Sequence, residues 1–154
     1  MMYKTMNKIK VVRITKTSNI IDEIYYTTEE YNNLCPEYTK RSSVNMSLLP
    51  NISLLENIAL PLIFQNTSLQ SSFYQSKIML QHFDLREYSY FTPAQVSSNV
   101  NRIAKIARSI ITIPQHVVIV DSELILKKLL LDKISNYIFM NSNYDYITIT
   151  ILPC

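Results

Sequence analysis

One stretch of the chain, residues 92–121, combines a polar loop, a helical pattern and an acid at the end of an apolar strand. Residues 92–99 are polar and lead into an amphipathic pattern at 100–111, and the apolar run 117–120 ends on Asp121. A loop that enters a helix presents free backbone N–H groups, and α/β proteins place ligands at the carboxyl edge of their strands. Loop and acid together therefore indicate a nucleotide site.

The elements that must position this stretch can be predicted from residue type and spacing. Segments rich in β-branched and aromatic residues predict strands at 9–15, 20–27, 117–120 and 146–152. Apolar residues at helical spacing predict helices at 69–83, 100–111 and 123–136, and Thr28 starts a shorter one. The segment 20–27 also fits helical spacing. We expect an α/β fold with a parallel sheet built around 117–120 and 146–152.

A further helix is predicted to begin at an S-x-x-E sequence. In this capping box the Ser53 hydroxyl and the Glu56 carboxylate satisfy the first backbone N–H groups of the helix. The apolar face of that helix consists of Leu54, Leu55, Ile58 and Leu62. Pro61 is expected to bend or end it.

The composition is that of one folded domain. Of 154 residues, 47% are hydrophobic and 18% are charged, which is enough apolar content for a buried core. The net charge of +3 comes from Lys and Arg spread along the chain, so no nucleic-acid-binding stripe is expected. No apolar run approaches the roughly 18 residues of a transmembrane helix, and no signal peptide is recognisable. We expect a cytosolic protein unless a partner holds it at a membrane.

The other chemically capable side chains form no recognisable site. His82 and His116 lack the spacing of metal ligands, and no Ser-His-Asp or Cys-His arrangement can be argued. Cys35 and Cys154 are far apart in sequence and are expected to be free thiols in a reducing compartment. The sequence therefore predicts no metal site and no cofactor.

Two upstream segments resemble conserved parts of ABC-transporter ATPase domains. Residues 48–62 (LLPNISLLENIALPL) are similar to the NLLPNLTxLENVALPL segment of the lipoprotein-release and phospholipid-trafficking branches. Residues 79–85 (MLQHFDL) are similar to the family's LLERVGL. The order of the two segments is that of the family.

The stretch considered first continues this resemblance. Without gaps, 96–100 (VSSNV) align with the signature LSGGQ, 106–110 (IARSI) with IARAL, and 117–122 (VVIVDS) with the Walker B motif hhhhDE. The resemblance runs from about residue 43 to 122. It implies a truncated P-loop-NTPase-like domain, degenerate in its motifs, with a helical subdomain at about 51–99.

The chain lacks residues that hydrolysis requires in this family. It has no glycine, although average usage of about 7% would give on the order of ten, and a P-loop needs glycine where its backbone approaches the phosphates. Lys16 and Thr17 are the nearest vestige of such a loop. Asp121 keeps the Walker B acid, but Ser122 replaces the general-base Glu and cannot take a proton from water at neutral pH. The resemblance therefore implies a pseudo-ATPase.

Other functional positions of the family are also changed. The Q-loop Gln falls near Val44 and Asn45, and the switch His falls near Leu152 or Pro153. Without a P-loop or a general base, Asp121 is expected to be a relict acid or a helix N-cap rather than a metal ligand.

The signature-like loop, Ser97, Ser98 and Asn99, is the part that can still serve a nucleotide. In the family, ATP lies between the P-loop of one subunit and the signature of the other, so a subunit without a P-loop can contribute to its partner's site. Ser97 matches the signature serine that reaches the γ-phosphate, and Ser98 and Asn99 replace two glycines. The alternative is that Ser97 or Ser98 only N-caps the following helix.

The apolar face of Leu54, Leu55, Ile58 and Leu62 has two interpretations of equal weight. In the family this region lies beside the groove that receives a coupling helix from the membrane subunits, which implies a partner-docking surface. An ordinary amphipathic core helix has the same pattern.

The resemblance implies a catalytically inactive ABC-ATPase-like subunit that acts as scaffold or regulator of a membrane transporter complex. Its expected partners are a transporter membrane subunit, an active ATPase subunit, or both. It is expected to be cytoplasmic, peripheral to the inner membrane and bound there only through these partners. The alternatives are a soluble protein-interaction module no longer linked to transport and a weak ATP-binding protein with a displaced site.

Overall fold

The computed structural model describes residues 9–16, 21–26, 29–30, 42–43, 47–120 and 127–152. The strands are β1 (Ile9–Thr15), β2 (Ile21–Tyr26), β3 (Ser42–Ser43), β4 (His116–Val120) and β5 (Tyr146–Leu152). They form one sheet in the order β2-β1-β5-β4-β3. Strand β1 is antiparallel to β2 and β5, whereas β4 is parallel to β5 and β3.

The predicted parallel pairing at the centre of the sheet is confirmed. Val117 of β4 lies opposite Ile149 of β5. The sheet as a whole is mixed, which corrects the expectation of a parallel sheet, because β1 joins the other side of β5 in the antiparallel direction. The segment 20–27, which fitted strand and helix, contains strand β2. Residues 147–151 of β5 are all buried, so the side chains on both faces of this central strand are covered.

Four α-helices are described in full: α1 (Leu54–Phe64), α2 (Leu69–His82), α3 (Ser98–Ile110) and α4 (Lys128–Met140). Short 3-10 helices lie at Arg86–Tyr88 and Pro93–Gln95. The helices predicted at 69–83 and 100–111 are confirmed to within two residues at each end. Glu29 and Glu30 are helical, and the remainder of the helix predicted from Thr28 lies outside the described residues.

Helix α4 extends further than predicted. It ends at Met140 rather than at Asn136, because Tyr137 and Ile138 are buried and continue its apolar face beyond that exposed asparagine. Residues 123–126, at the predicted start of this helix, lie outside the described residues. Helix α4 begins at Lys128, which corrects the prediction at Lys127, because that residue has extended backbone angles and is the N-cap.

Helix α1 begins as predicted and passes through its proline. Ser53 Oγ accepts a hydrogen bond from the Glu56 N–H at 3.1 Å, and Glu56 Oε1 accepts one from the Ser53 N–H at 3.3 Å, which completes the capping box. The helix does not end at Pro61. Leu62 beyond it is buried, and the Gln65 N–H donates to the Pro61 carbonyl at 3.2 Å.

The hydrophobic core joins the sheet to the helices. Its side chains that are at most 1% exposed include Val117, Ile119, Ile147 and Ile149 from the sheet and Leu54, Ile58, Met79 and Leu80 from α1 and α2. Helices α1 and α2 therefore share one core with the strands that lead toward the predicted nucleotide site.

Three described non-glycine residues have positive φ angles, namely Asn66, Asp84 and Ile113. Asn and Asp tolerate the left-handed region, but a β-branched residue is strained there. Ile113, with φ of 58°, lies in the turn between α3 and β4, where its N–H donates to the Ile110 carbonyl at 2.9 Å. The turn between α3 and β4 is thus formed without glycine and under backbone strain.

The strain at Ile113 predicts an inverted order of stability for two substitutions. Ile113→Gly and Ile113→Ala both remove the side chain, but only alanine keeps the Cβ that opposes positive φ. We expect Ile113→Gly to be the more stable by about 1 kcal/mol, whereas at an ordinary helix position alanine is favoured by about that amount. Urea unfolding of both variants measures the difference. If Ile113→Ala were the more stable, the turn would not be strained.

Candidate functional site

The signature-like loop is braced by side-chain hydrogen bonds to its own backbone. Gln95 Oε1 accepts from the Thr92 N–H at 2.9 Å, and Asn101 Nδ2 donates to the Pro93 carbonyl at 2.8 Å. Asn101 lies one turn into α3, so the second bond ties the loop to the helix that it enters. This network holds the loop against the start of α3, where Ser97 lies.

Ser97 is the N-cap of α3. Its Oγ accepts a hydrogen bond from the Val100 N–H at 3.2 Å, which is the simpler of its two predicted roles. The bond leaves the hydroxyl proton available as a donor, and Ser97, Ser98 and Asn99 are exposed. The first turn of α3 contains no acid, so its N–H groups and dipole favour an anion in front of it. Capping by Ser97 is therefore compatible with a phosphate contact.

The Walker-B-like position follows strand β4. Val117, Val118 and Ile119 are buried, and Val120 lies opposite Leu152 at the carboxyl end of the parallel pair. Asp121 and Ser122 come next but lie outside the described residues, as do Thr17, Val44, Asn45 and Pro153. Lys16 is described. Its backbone N–H donates to the Asp145 carbonyl at 2.9 Å, which extends the pairing of β1 with β5 by one residue beyond Thr15.

The proposed docking face of α1 is buried in this structure. Its exposed fractions are 0% for Leu54, 6% for Leu55, 0% for Ile58 and 7% for Leu62. All four belong to the main core cluster. The ordinary core helix, the second interpretation of this pattern, therefore describes these residues, because α2 and α3 cover the face that an isolated helix would present.

A concave site of about 180 Å³ opens between the N-terminal parts of α3 and α4. Its polar lining consists of Asn99, Arg102, Lys127 and Lys133. Its apolar lining consists of Phe83, Ile103, Leu129 and Leu130. The sequence does not reveal this site, because its lining residues meet only in the fold. Its one sequence signal is the adjacent pair Lys127 and Lys128 at a helix start, where acids are usual.

Contacts from the end of α2 hold one wall of this site. The His82 Nε2 lies 2.6 Å from the Lys133 carbonyl, and because a carbonyl only accepts, this nitrogen donates. Lys133 Nζ donates to Asp84 Oδ2 at 2.5 Å. The hydrogen bond from Lys133, followed by its charge, lowers the pKa of Asp84 below its usual value. Lys133 is thus fixed at both its backbone and its side chain.

This pairing predicts a pH dependence with a defined sign. Since the pKa of Asp84 is lowered in the folded state, the contribution of the pair to stability is present at neutral pH. It is lost as the pH falls through the folded pKa of Asp84. Lys133→Met should raise the pKa of Asp84 toward its usual value, as a carboxyl-carbon NMR titration would measure. Lys128→Met, which removes a nearby exposed charge, should leave the pKa of Asp84 unchanged. An equal shift in the two variants would show that the overall positive charge of the protein, rather than the pair with Lys133, lowers this pKa.

The part of the chain that the structure describes contains neither a metal cluster nor a membrane-spanning helix. Within them no group of three or more His, Cys, Asp or Glu side chains could hold a metal ion. Among the same residues, no helix combines the length and the hydropathy needed to cross a bilayer.

The sheet order and the helices define an α/β fold similar to a truncated ATPase domain of the ATP-binding-cassette type. A solved structure that shares it is the "Dimeric structure of a post-hydrolysis state of the ATP-binding cassette MJ0796 bound to ADP and Pi", with a TM-score of 0.53 and 23% sequence identity. The match covers 77% of this chain and 53% of that chain, so this chain spans about half the length of that protein. No protein-family profile matches the chain. No curated protein matches it either.

Proposed function

We propose that this chain is a non-hydrolysing ATPase-like subunit that acts as scaffold or regulator in a membrane transporter complex. One observation carries the proposal: an ATP-binding-cassette fold is formed by residues among which there is no glycine. Where the described backbone requires positive φ, it uses Asn66, Asp84 and Ile113 instead. A loop that wraps phosphates cannot make that exchange, because each Cβ occupies space that the phosphate needs.

The part of the site that remains can act on a partner's nucleotide. Ser97 is exposed at the N-terminus of α3, with a hydroxyl proton free to donate and a positive dipole end behind it. The ATP-binding cassette MJ0796 is dimeric in its structure bound to ADP and Pi. A heterodimer with an active ATPase would place Ser97 against the nucleotide that the active subunit holds.

Partner binding is also supported by exposed apolar side chains. Four large apolar side chains between residues 51 and 99 are more than half exposed: Phe64 at the end of α1, Leu69 at the start of α2, Tyr74 in the middle of α2 and Tyr90 before the signature-like loop. Tyr74 and Tyr90 line one concave surface, and contiguous exposed aromatic side chains are typical of surfaces that a partner covers. Docking would use these side chains rather than the buried face of α1.

Affinity capture of the chain from mildly solubilised native membranes tests the scaffold role. We expect mass spectrometry to identify a membrane permease and an ATPase that has an intact P-loop. The isolated chain should show no saturable ATP binding by calorimetry. Recovery of the chain alone from the soluble fraction would contradict the transporter assignment, and ATP hydrolysis by the chain alone would contradict the pseudo-ATPase assignment.

Ser97→Ala tests whether the loop serves the partner's active site. In the reconstituted complex we expect the partner's ATPase rate to fall by roughly tenfold or more, since removing one donor to transition-state charge costs several kcal/mol in related cases. Ser68→Ala is the matched control, because Ser68 is the exposed N-cap of α2 and accepts from the Ser71 N–H at 3.2 Å. Equal rates for the two variants would limit Ser97 to capping.

A further inference from the structure

We propose that the concave surface between α2 and residues 86–90 binds a short acidic segment of a protein partner, in which carboxylates flank an aromatic or aliphatic side chain. The surface encloses about 380 Å³, which suits a few side chains rather than a folded domain, since pockets of about 300–1,000 Å³ hold ligands of drug size. The inference names the chemistry of a docking partner and therefore rests on the scaffold role proposed above.

Both walls of this surface are tied to the same residue of α1. Ser76 of α2 donates its hydroxyl proton to the Leu55 carbonyl at 2.7 Å, and the Leu55 N–H donates to the Ser89 carbonyl at 3.0 Å. Ser89 lines the surface, and its Oγ donates to the Arg86 carbonyl at 2.6 Å. The two walls are therefore held at a fixed separation, so a partner can bind without the cost of ordering their backbones.

The charged side chains of this surface are all cationic. Lys77 and Arg86 line it and are exposed, and none of its seven lining residues, all of them described, is an acid. Within the part of the chain that the structure describes, neither cation forms an ion pair. The nearest acids in sequence, Asp84 and Glu87, do not line the surface, and Asp84 is paired with Lys133. Charge complementarity therefore favours an acidic partner.

The apolar part of the surface consists of three exposed side chains. Tyr74 is 66% exposed, Ile78 is 45% exposed and Tyr90 is 75% exposed. Tyr74 and Ile78 are one helical turn apart, so they lie on the same face of α2. A tyrosine offers an apolar ring and a hydroxyl that can donate to a peptide carbonyl, which makes it a frequent anchor at interfaces. An apolar side chain of the partner would pack against these residues.

The length of α2 along this surface sets the length of the segment that fits. Tyr74 and Gln81 both line the surface and lie about two helical turns apart, a rise of roughly 10 Å. An extended segment covers that distance in about three residues. A peptide of about six residues therefore spans the surface with an acid on either side of its central apolar residues.

Titration of the ¹⁵N-labelled full chain with three capped hexapeptides tests the proposal. The acidic peptide acetyl-EDLFDE-amide should shift the amide signals of Lys77, Gln81, Arg86 and Tyr90 saturably and together. The neutral acetyl-QNLFNQ-amide and the acidic acetyl-EDSSDE-amide should each bind at least about fivefold more weakly, since one lacks the charges and the other lacks the apolar side chains. Equal binding of the three peptides, or no saturable shift at these amides, would overturn the proposal.

A reversal of charge locates the contact. The double variant Lys77→Glu, Arg86→Glu should bind the acidic peptide at least about tenfold more weakly, and should bind the basic acetyl-KRLFRK-amide more tightly than the unaltered chain does. The matched control is Lys127→Glu with Lys128→Glu, which makes the same change in net charge at two exposed lysines outside the surface. Equal losses in the two double variants would show that net charge alone attracts the peptide, against the proposal.

Removal of the aromatic rings tests the apolar part of the surface. Tyr74→Ala and Tyr90→Ala should each weaken binding of the acidic peptide by about fivefold or more. Phe64→Ala, which removes an exposed ring that does not line the surface, should leave the affinity unchanged. Tighter binding of uridine 5′-monophosphate than of the acidic peptide at the same amides would assign the surface to a nucleotide instead. Dimerisation of the chain that the peptide inhibits would assign it to a second copy.

The titration contains no transporter subunit, so it separates this inference from the scaffold role. Recovery of a permease by affinity capture together with a failed titration would overturn the acidic-segment proposal and leave the scaffold role standing. Saturable binding of the acidic peptide together with capture of the chain alone would overturn the scaffold role and leave the chemistry of the surface standing.

Discussion

Asn57→Ala is expected to lower the free energy of unfolding by about 2–4 kcal/mol, since unsatisfied buried polar groups cost about 1–3 kcal/mol each. Asn57 is 0% exposed within α1. Its Oδ1 accepts from the Leu49 N–H at 2.7 Å, and its Nδ2 donates to the carbonyls of Leu49 at 3.1 Å and Ser53 at 3.0 Å. Alanine would remove these bonds at once, together with a longer one from Nδ2 to the Ile52 carbonyl at 3.4 Å. Urea unfolding followed by circular dichroism measures the change.

The same substitution should loosen the segment that precedes α1. Arg108 Nη1 donates to the Ser47 carbonyl at 3.1 Å, so the segment before α1 is tied to α3 as well as to Asn57. Amide hydrogen exchange should therefore accelerate at Leu49 before it accelerates in α1. Asn136→Ala, on the exposed face of α4, is the matched control and should change stability by no more than about 0.5 kcal/mol. A loss of under 1 kcal/mol for Asn57→Ala would mean that water replaces the side chain.

Ile58→Ala is expected to cost about 2–5 kcal/mol, as is usual when a fully buried Ile is truncated in a core that cannot collapse. Ile58 is 0% exposed and belongs to the cluster that joins α1 to the sheet. A residue whose main role was to contact a partner would lose little stability on truncation. Thermal or urea unfolding of the isolated chain therefore distinguishes the two interpretations of the apolar face of α1.

Phe64→Ala is the matched control for Ile58→Ala. Phe64 ends the same helix and is 80% exposed, so its truncation should change the free energy of unfolding by no more than about 0.5 kcal/mol. If Phe64→Ala nevertheless reduced recovery of a membrane partner, docking would be assigned to the end of α1. A small effect of Ile58→Ala on the free energy of unfolding would instead favour the apolar face of α1 as a docking surface.

The features that were predictable from sequence are those encoded by nearby residues. The capping box at Ser53 and Glu56 depends on a spacing of three, and the β4–β5 core depends on two unbroken runs of β-branched residues, at 117–120 and 147–151. Such patterns can be recognised in the sequence without knowledge of the rest of the fold. The family resemblance, which runs from about residue 43 to 122, agreed with the fold that the structure shows.

What escaped prediction depends on contacts between distant segments. Nothing local marks Ile113 as left-handed, because isoleucine is among the residues least suited to that conformation. The burial of Leu62 depends on helices that pack from elsewhere in the chain. The concave site between α3 and α4 joins Phe83, Arg102 and Lys127 from three segments, so no spacing along the sequence reveals it. Tertiary packing decides each of these features.

The central position of β5 governs the order in which this sheet can be completed during synthesis. Lys10 of β1 lies opposite Ile151, and His116 of β4 lies opposite Thr148, so both neighbours of β5 are made long before their shared partner. Pairings of such high sequence separation form slowly. Until residues 146–152 emerge, β1 and β4 keep unpaired edges that can associate with other chains. The five-stranded sheet therefore cannot be complete until β5 has joined both of its neighbours.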